Sequence, residues 1–136
     1  MVGFIGLGIM GRPMAKNLVK AGVDLMVNDL NKEAVEDLVK AGAKEGSYHE
    51  IGECCDVIIT ILPNGSIVKS VLFDEGGVAE TITAGKVVCD MSSVTAGESR
   101  FCYDSLKKEG GRLCGRTGIR RRTRSYSRYI GDHVRR

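Results

Sequence analysis

The chain has 136 residues, 43% hydrophobic and 5% aromatic, and its 20 Lys and Arg against 17 Asp and Glu give a formal net charge of +3. That is one ordinary domain, long enough to bury about 68% of the surface its unfolded chain exposes. No apolar run approaches the about 18 residues of a membrane span, and no basic segment leads an apolar one as in a signal peptide, so a cytoplasmic protein without a membrane partner is expected.

The first element is a short apolar run, Val2 to Ile5, which reads as a buried parallel strand. It breaks into Gly6-Leu7-Gly8-Ile9-Met10-Gly11, a G-x-G-x-x-G. Met10, Met14, Leu18 and Val19, with Ala15 between them, then recur at helical spacing. Strand, glycine turn and helix in that order are the context in which this motif holds a dinucleotide. Gly6 allows the tight turn, Gly8 lets the backbone approach a pyrophosphate, and Gly11 lets the helix pack closely on the strand. The helix N-terminus adds free N–H groups and a partial positive charge. Pro13 falls in the first helical turn, where its missing N–H costs little. The plainer alternative is a glycine turn that serves packing alone.

Gly22 stops the helix. Leu25-Met26-Val27 forms a second strand, closing on Asn28 and Asp29. Asp29 lies 18 residues after Gly11, near the spacing expected of the acid that takes the adenosine ribose. A solvated turn residue or helix cap is the competing reading. Asn31 caps a helix over residues 32–41 with an apolar face of Ala34, Val35, Leu38 and Val39. A short third strand falls near residues 43–45. Ser47 and Glu50 have capping-box spacing, which predicts a helix over Tyr48–Cys54 with His49 as a solvated member.

Residues 57–62 form the next strand, apolar on both faces as central parallel strands are. It ends at Leu62-Pro63-Asn64-Gly65, on the side where ligands bind in open parallel sheets, although a plain turn would read the same way. A helix starts at Ser66. A strand over 86–90 ends in Asp90-Met91-Ser92-Ser93, again on the ligand side, and a helix over 95–108 stops at Gly110-Gly111. The order describes an α/β, doubly wound, mostly parallel sheet of Rossmann type. Cys54, Cys55, Cys89, Cys102 and Cys114 include no C-x-x-C, so they read as reduced packing thiols rather than a metal site.

A compositional break follows. Residues 112–136 hold nine Arg, no Lys and one acid, Asp132, a net +8, whereas residues 1–111 carry 11 basic and 16 acidic residues, a net −5. The expected division is therefore a dinucleotide-binding domain over 1–111 and an Arg-rich, mostly irregular tail over 112–136.

Three separated stretches, residues 2–17 (VGFIGLGIMGRPMAKN), 56–64 (DVIITILPN) and 90–93 (DMSS), resemble the β-hydroxyacid dehydrogenases. That family includes 3-hydroxyisobutyrate dehydrogenase, tartronate semialdehyde reductase and the cofactor domain of 6-phosphogluconate dehydrogenase. The resemblance covers residues 1–113. It implies that Gly6, Leu7, Gly8, Ile9, Met10 and Gly11 hold the pyrophosphate, while the spacing already given adds Asn28 and Asp29 to the expected cofactor-binding residues. It also implies that Leu62, Pro63 and Asn64 line the nicotinamide-side ribose and that Ser93 approaches the nicotinamide. In the family a hydride passes between nicotinamide and the hydroxyl-bearing carbon of a small acid. A lysine from a later helix is the general acid/base, and an all-helical second domain completes the site. Neither is found in these 136 residues, so the chain alone is expected to bind cofactor without turning over a hydroxyacid. The hydroxyacid and the oligomeric state stay open.

Charge argues the cofactor. A 2′-phosphate beside Asp29 would cost up to about 4 kcal/mol at about 4 Å and an effective dielectric of about 20. Residue 30 is Leu, where an Arg would favour NADP. NAD is the expected cofactor, with NADP as the alternative.

Where the family continues with Val-Asp-Ala-Pro-Val-Ser-Gly-Gly, this chain reads Cys-Gly-Arg-Thr-Gly-Ile-Arg-Arg-Arg-Thr from Cys114 to Thr123. Codons chosen for those ten residues, regrouped from the second base, spell Val-Asp-Ala-Pro-Val-Ser-Gly-Gly-Glu-Pro. A one-base shift near Leu113 would explain the Arg excess. The rivals are a basic tail that contacts nucleic acid through Arg120, Arg121, Arg122, Arg124 and Arg128 with Tyr126 and Tyr129, and a solvated tail without a partner.

Overall fold

The computed structural model describes residues 1–115. Six parallel strands, β1 (Val2–Ile5), β2 (Leu25–Asn28), β3 (Lys44–Glu45), β4 (Val57–Thr60), β5 (Val87–Asp90) and β6 (Arg112–Gly115), stand in the order β3-β2-β1-β4-β5-β6. Five α-helices connect them: α1 (Gly11–Lys20), α2 (Lys32–Lys40), α3 (Tyr48–Cys54), α4 (Gly65–Phe73) and α5 (Ala96–Lys108). A single 3-10 turn, Val78–Glu80, sits between α4 and β5 and buries Val78.

Neighbouring residues along each strand serve opposite cores. Phe4 joins Leu7, Ala15, Val27, Ala34, Val35 and Leu38 on the side of α1 and α2. Ile5 joins Ile51, Ile58, Val68, Leu72, Val88 and Leu106 on the side of α3, α4 and α5. A sheet covered on both faces needs strands without a polar side, which is why Val57-Ile58-Ile59 does not alternate. The two helix layers leave the sheet in opposite directions from β1 and β4. These strands pair in register from Val2↔Val57 to Ile5↔Thr60. Their carboxyl ends form the topological switch point, the place where open α/β sheets take ligands.

Two expectations shift. The ladder of β4 closes at Thr60, because the Leu62 N–H turns aside to the Ser92 hydroxyl. Val39 lies at the margin of the α2 stripe and is 42% exposed. The sheet also runs past the compositional break. Arg112 to Gly115 pair with Val87 to Asp90, and the Arg112 N–H bonds the Lys86 carbonyl at 3.1 Å. Backbone ladder bonds are indifferent to side-chain composition, and the Arg112 side chain stays exposed. The ladder therefore continues through Gly115, into the Arg-rich segment. The remainder of the Arg-rich segment, on which the frame-shift and nucleic-acid readings turn, lies outside the described residues. Among the described residues no helix is long and apolar enough to cross a membrane.

Candidate functional site

The glycine turn is built against the exit of β4. Gly6 has φ 102°, a left-handed conformation that favours glycine, and a Cβ on it would run into the Ile61 carbonyl oxygen. A Cβ on Gly11 would strike the Gly6 carbonyl oxygen. Both are therefore explained by the protein itself. Gly8 is different: its φ is not in the left-handed region, and a Cβ there would have nothing within 4 Å. Its missing side chain leaves open space at the start of α1.

That helix start is also bare. α2, α3, α4 and α5 are each capped by a side chain: Asn31, Ser47, Asn64 and Thr95. α1 has no side-chain cap and no acid in its first turn. An uncapped end keeps N–H groups and the positive end of the helix dipole available to an anion. Arg12 and Lys16 flank it, each 2.6 Å from Asp37 of α2. The paired Lys16 and Arg12 hold the Asp37 carboxyl below its ordinary range.

The end of β2 fastens the turn from the other side. The Gly6 N–H bonds the Asn28 carbonyl at 3.1 Å. Asp29 accepts the Leu7 N–H on Oδ2 at 2.6 Å and the Asn31 N–H on Oδ1 at 2.7 Å. Asn28 points its amide to the Gly46 carbonyl at 2.6 Å. Asp29 thus stands at the rim of the turn, half-buried, with its carboxylate already oriented. The Leu7 side chain belongs to the core, so only its backbone faces the turn. Ile9 and Met10 stand out into solvent, 95% and 65% exposed.

Across the switch point, Leu62 is half-buried and Pro63 exposed. Asn64 caps α4, its side-chain oxygen accepting the Ile67 N–H at 3.0 Å. Ser93 is exposed, whereas its neighbour Ser92 is buried and bonded. Sequence reading missed the linked set Thr60, Asp90 and Ser92; only the position of Asp90 at a strand's carboxyl end hinted at it. Of the large apolar side chains left exposed, Ile9, Met10, Leu30, Ile67 and Met91 all lie on this one edge. An edge that gathers apolar surface beside oriented polar groups is the makeup of a ligand site. Among the described residues no group of three or more His, Cys, Asp or Glu is placed to hold a metal ion. All five cysteines are free, and burial pushes the Cys55 and Cys89 thiols up to about 11.

A parallel doubly wound sheet with a glycine turn, a bare helix start and an acid at the end of the second strand defines a dinucleotide-binding domain. Residues 1–116 match the family model described as the NAD binding domain of 6-phosphogluconate dehydrogenase, and the chain belongs to that family. It is 46% identical over 94 residues to the 3-sulfolactaldehyde reductase of Escherichia coli (strain K12), covering 68% of this chain and 32% of that protein. It is 36% identical over 110 residues to the 2-hydroxy-3-oxopropionate reductase of the same organism, covering 81% and 38%. The structure of the Mycobacterium tuberculosis 3-hydroxyisobutyrate dehydrogenase with L-serine superposes with a TM-score of 0.77 at 28% identity, covering 84% of this chain and 38% of that one. The chain thus spans about a third of the length of the curated relatives it matches.

Proposed function

We propose that this chain binds NAD at the carboxyl edge of β1, β2 and β4 and serves as the cofactor half of an oxidoreductase acting on a small hydroxyacid. The open space at Gly8 beside the uncapped start of α1 carries the reading. The pyrophosphate would lie over Gly6 to Gly11, with the adenosine ribose at Asp29. Leu62, Pro63 and Asn64 would lie under the nicotinamide-side ribose, with Ser93 toward the nicotinamide. When bound, the nicotinamide supplies hydride transfer to or from the hydroxyl-bearing carbon. The residues of this chain bind and orient it, and none of them is assigned as the general acid or base. The relatives' names support the substrate class, a small acid bearing a hydroxyl or an adjacent carbonyl.

Asp29 and Leu30 favour NAD over NADP, since a 2′-phosphate would meet a carboxylate and no cation at the next position. Calorimetric titration of the chain with NADH and NADPH tests both points. NADH should bind more tightly, and Gly8→Val should abolish binding with no fall in melting temperature. Tighter NADPH binding would overturn the cofactor choice. Undiminished NADH binding by Gly8→Val would overturn the site.

A further inference from the structure

Resting on that reading, we propose that Asp90 is a positioning residue that sets the Leu62-Pro63-Asn64 loop for the nicotinamide half of the dinucleotide, acting through Ser92 and Thr60. Asp90 ends β5 and Thr60 ends β4, and the two are ladder partners on the face covered by α4 and α5. Both are buried, at 4% and 0% exposure. A carboxylate in such a place is costly unless its oxygens are well bonded. Oδ1 of Asp90 accepts the Thr60 hydroxyl at 2.9 Å and the Ser92 N–H at 3.0 Å. Ser92 Oγ in turn accepts the Leu62 N–H at 2.8 Å. The Thr60 carbonyl takes the Met91 N–H at 2.8 Å, which closes a ring of bonds between the two strand ends.

Its effect falls on one short segment. Leu62 has left the ladder of β4, and its N–H donates instead to Ser92 Oγ. Two residues on, Asn64 is fixed by capping α4. The loop is therefore fastened at both ends, and Leu62 lies against the glycine turn near Gly6. Packing alone would be met by an apolar residue at 90, which would avoid burying a charge. A carboxylate instead orients two donors at once and dictates which of the two serines turns inward. Ser92 is held, and Ser93 is left facing out.

The test compares two probes on the 136-residue chain: NADH, and ADP, which lacks both the nicotinamide and the ribose that carries it. Asp90→Ala and Ser92→Ala should each weaken NADH about tenfold, equivalent to about 1.4 kcal/mol. They should also reduce the gain in nicotinamide fluorescence at saturation, while ADP binding stays within about twofold, because its proposed contacts lie across the switch point, at the glycine turn and Asp29. Asp90→Asn, which keeps one acceptor for Thr60 and Ser92, should restore most of the loss. Equal weakening of both probes, or NADH binding and emission unchanged in Ser92→Ala, would overturn the proposal. Should Asp90→Ala fail to fold, Ser92→Ala and Asp90→Asn still decide it. A wild-type chain that binds neither probe would overturn the dinucleotide reading itself, and this proposal with it.

Discussion

Asp29 holds two backbone donors at once, and this gives it a second duty besides any contact with a ligand. Its Oδ2 keeps the Leu7 N–H, inside the glycine turn, at 2.6 Å. Its Oδ1 keeps the Asn31 N–H at 2.7 Å, ahead of α2. Hydrogen bonds to a charged group contribute about 1.5–3 kcal/mol each. Asp29→Ala should therefore lower unfolding free energy by about 2 kcal/mol in a urea titration, as well as weakening NADH. Changing cofactor preference at this position alone should fail for the same reason: relief of the like charge comes with a loosened glycine turn. The spacing of 18 residues from Gly11 marked Asp29 as a candidate in the sequence. The bond to Leu7 was not legible, because it spans 22 residues and depends on β1 and β2 lying side by side. Ser92 and Ser93 show the same limit. The two are adjacent and chemically identical, and only the turn after β5 decides which one faces Asp90.

Helix ends were the most legible features, because their signals are local. Asn31 before α2 and the Ser47/Glu50 box of α3 stand where the sequence put them, and Thr95 and Glu98 form a second such box. Ser47→Ala or Thr95→Ala should each cost about 0.5–2 kcal/mol, read as a shift in the urea midpoint. The boxes also set a pH response. Backbone N–H groups of Ser47 and Thr95 hold the Glu50 and Glu98 carboxyls below their ordinary value of 4.5. A depressed carboxyl stabilises the fold above its unfolded-state pKa, and that stability is lost as pH falls through the folded value. Melting temperature should hold down to about pH 5 and then fall. Glu50→Gln with Glu98→Gln should flatten the decline; an unchanged slope would show that the boxes contribute nothing to it. β6 was the least legible element. Arg112 and the arginines beyond it pull any composition-based reading toward a solvated segment, while the β5 ladder accepts Arg112 to Gly115 all the same.

For the molecule as a whole, the order of elements was enough to read the architecture, since short apolar strands alternating with amphipathic helices admit few alternatives. The assignment of each strand residue to one core or the other needed the register. Ile58→Ala or Leu38→Ala, each fully buried on opposite faces, should cost about 2–5 kcal/mol. Because the two lie in separate clusters, the losses should add in the double variant to within about 0.5 kcal/mol. Ligand should work in the opposite sense. At about 100 times its dissociation constant, NADH should stabilise the fold by about 2.7 kcal/mol, visible as a rise in melting temperature that ADP-ribose also produces.

The empty surroundings of Gly8 have a consequence for how such a chain would drift. The Gly8 carbonyl accepts the Arg12 N–H at 3.0 Å, so residue 8 stands beside the first turn of α1, although the N-cap position itself is Met10. A serine or aspartate there would meet no steric obstacle, and a bond from it to a free N–H of the first turn would add stability. It would also fill the place proposed for the pyrophosphate. A lineage released from binding dinucleotides would gain by that exchange at once, through a single substitution. Glycine at this position thus forgoes that bond and keeps the helix start open, as the proposed pyrophosphate site requires.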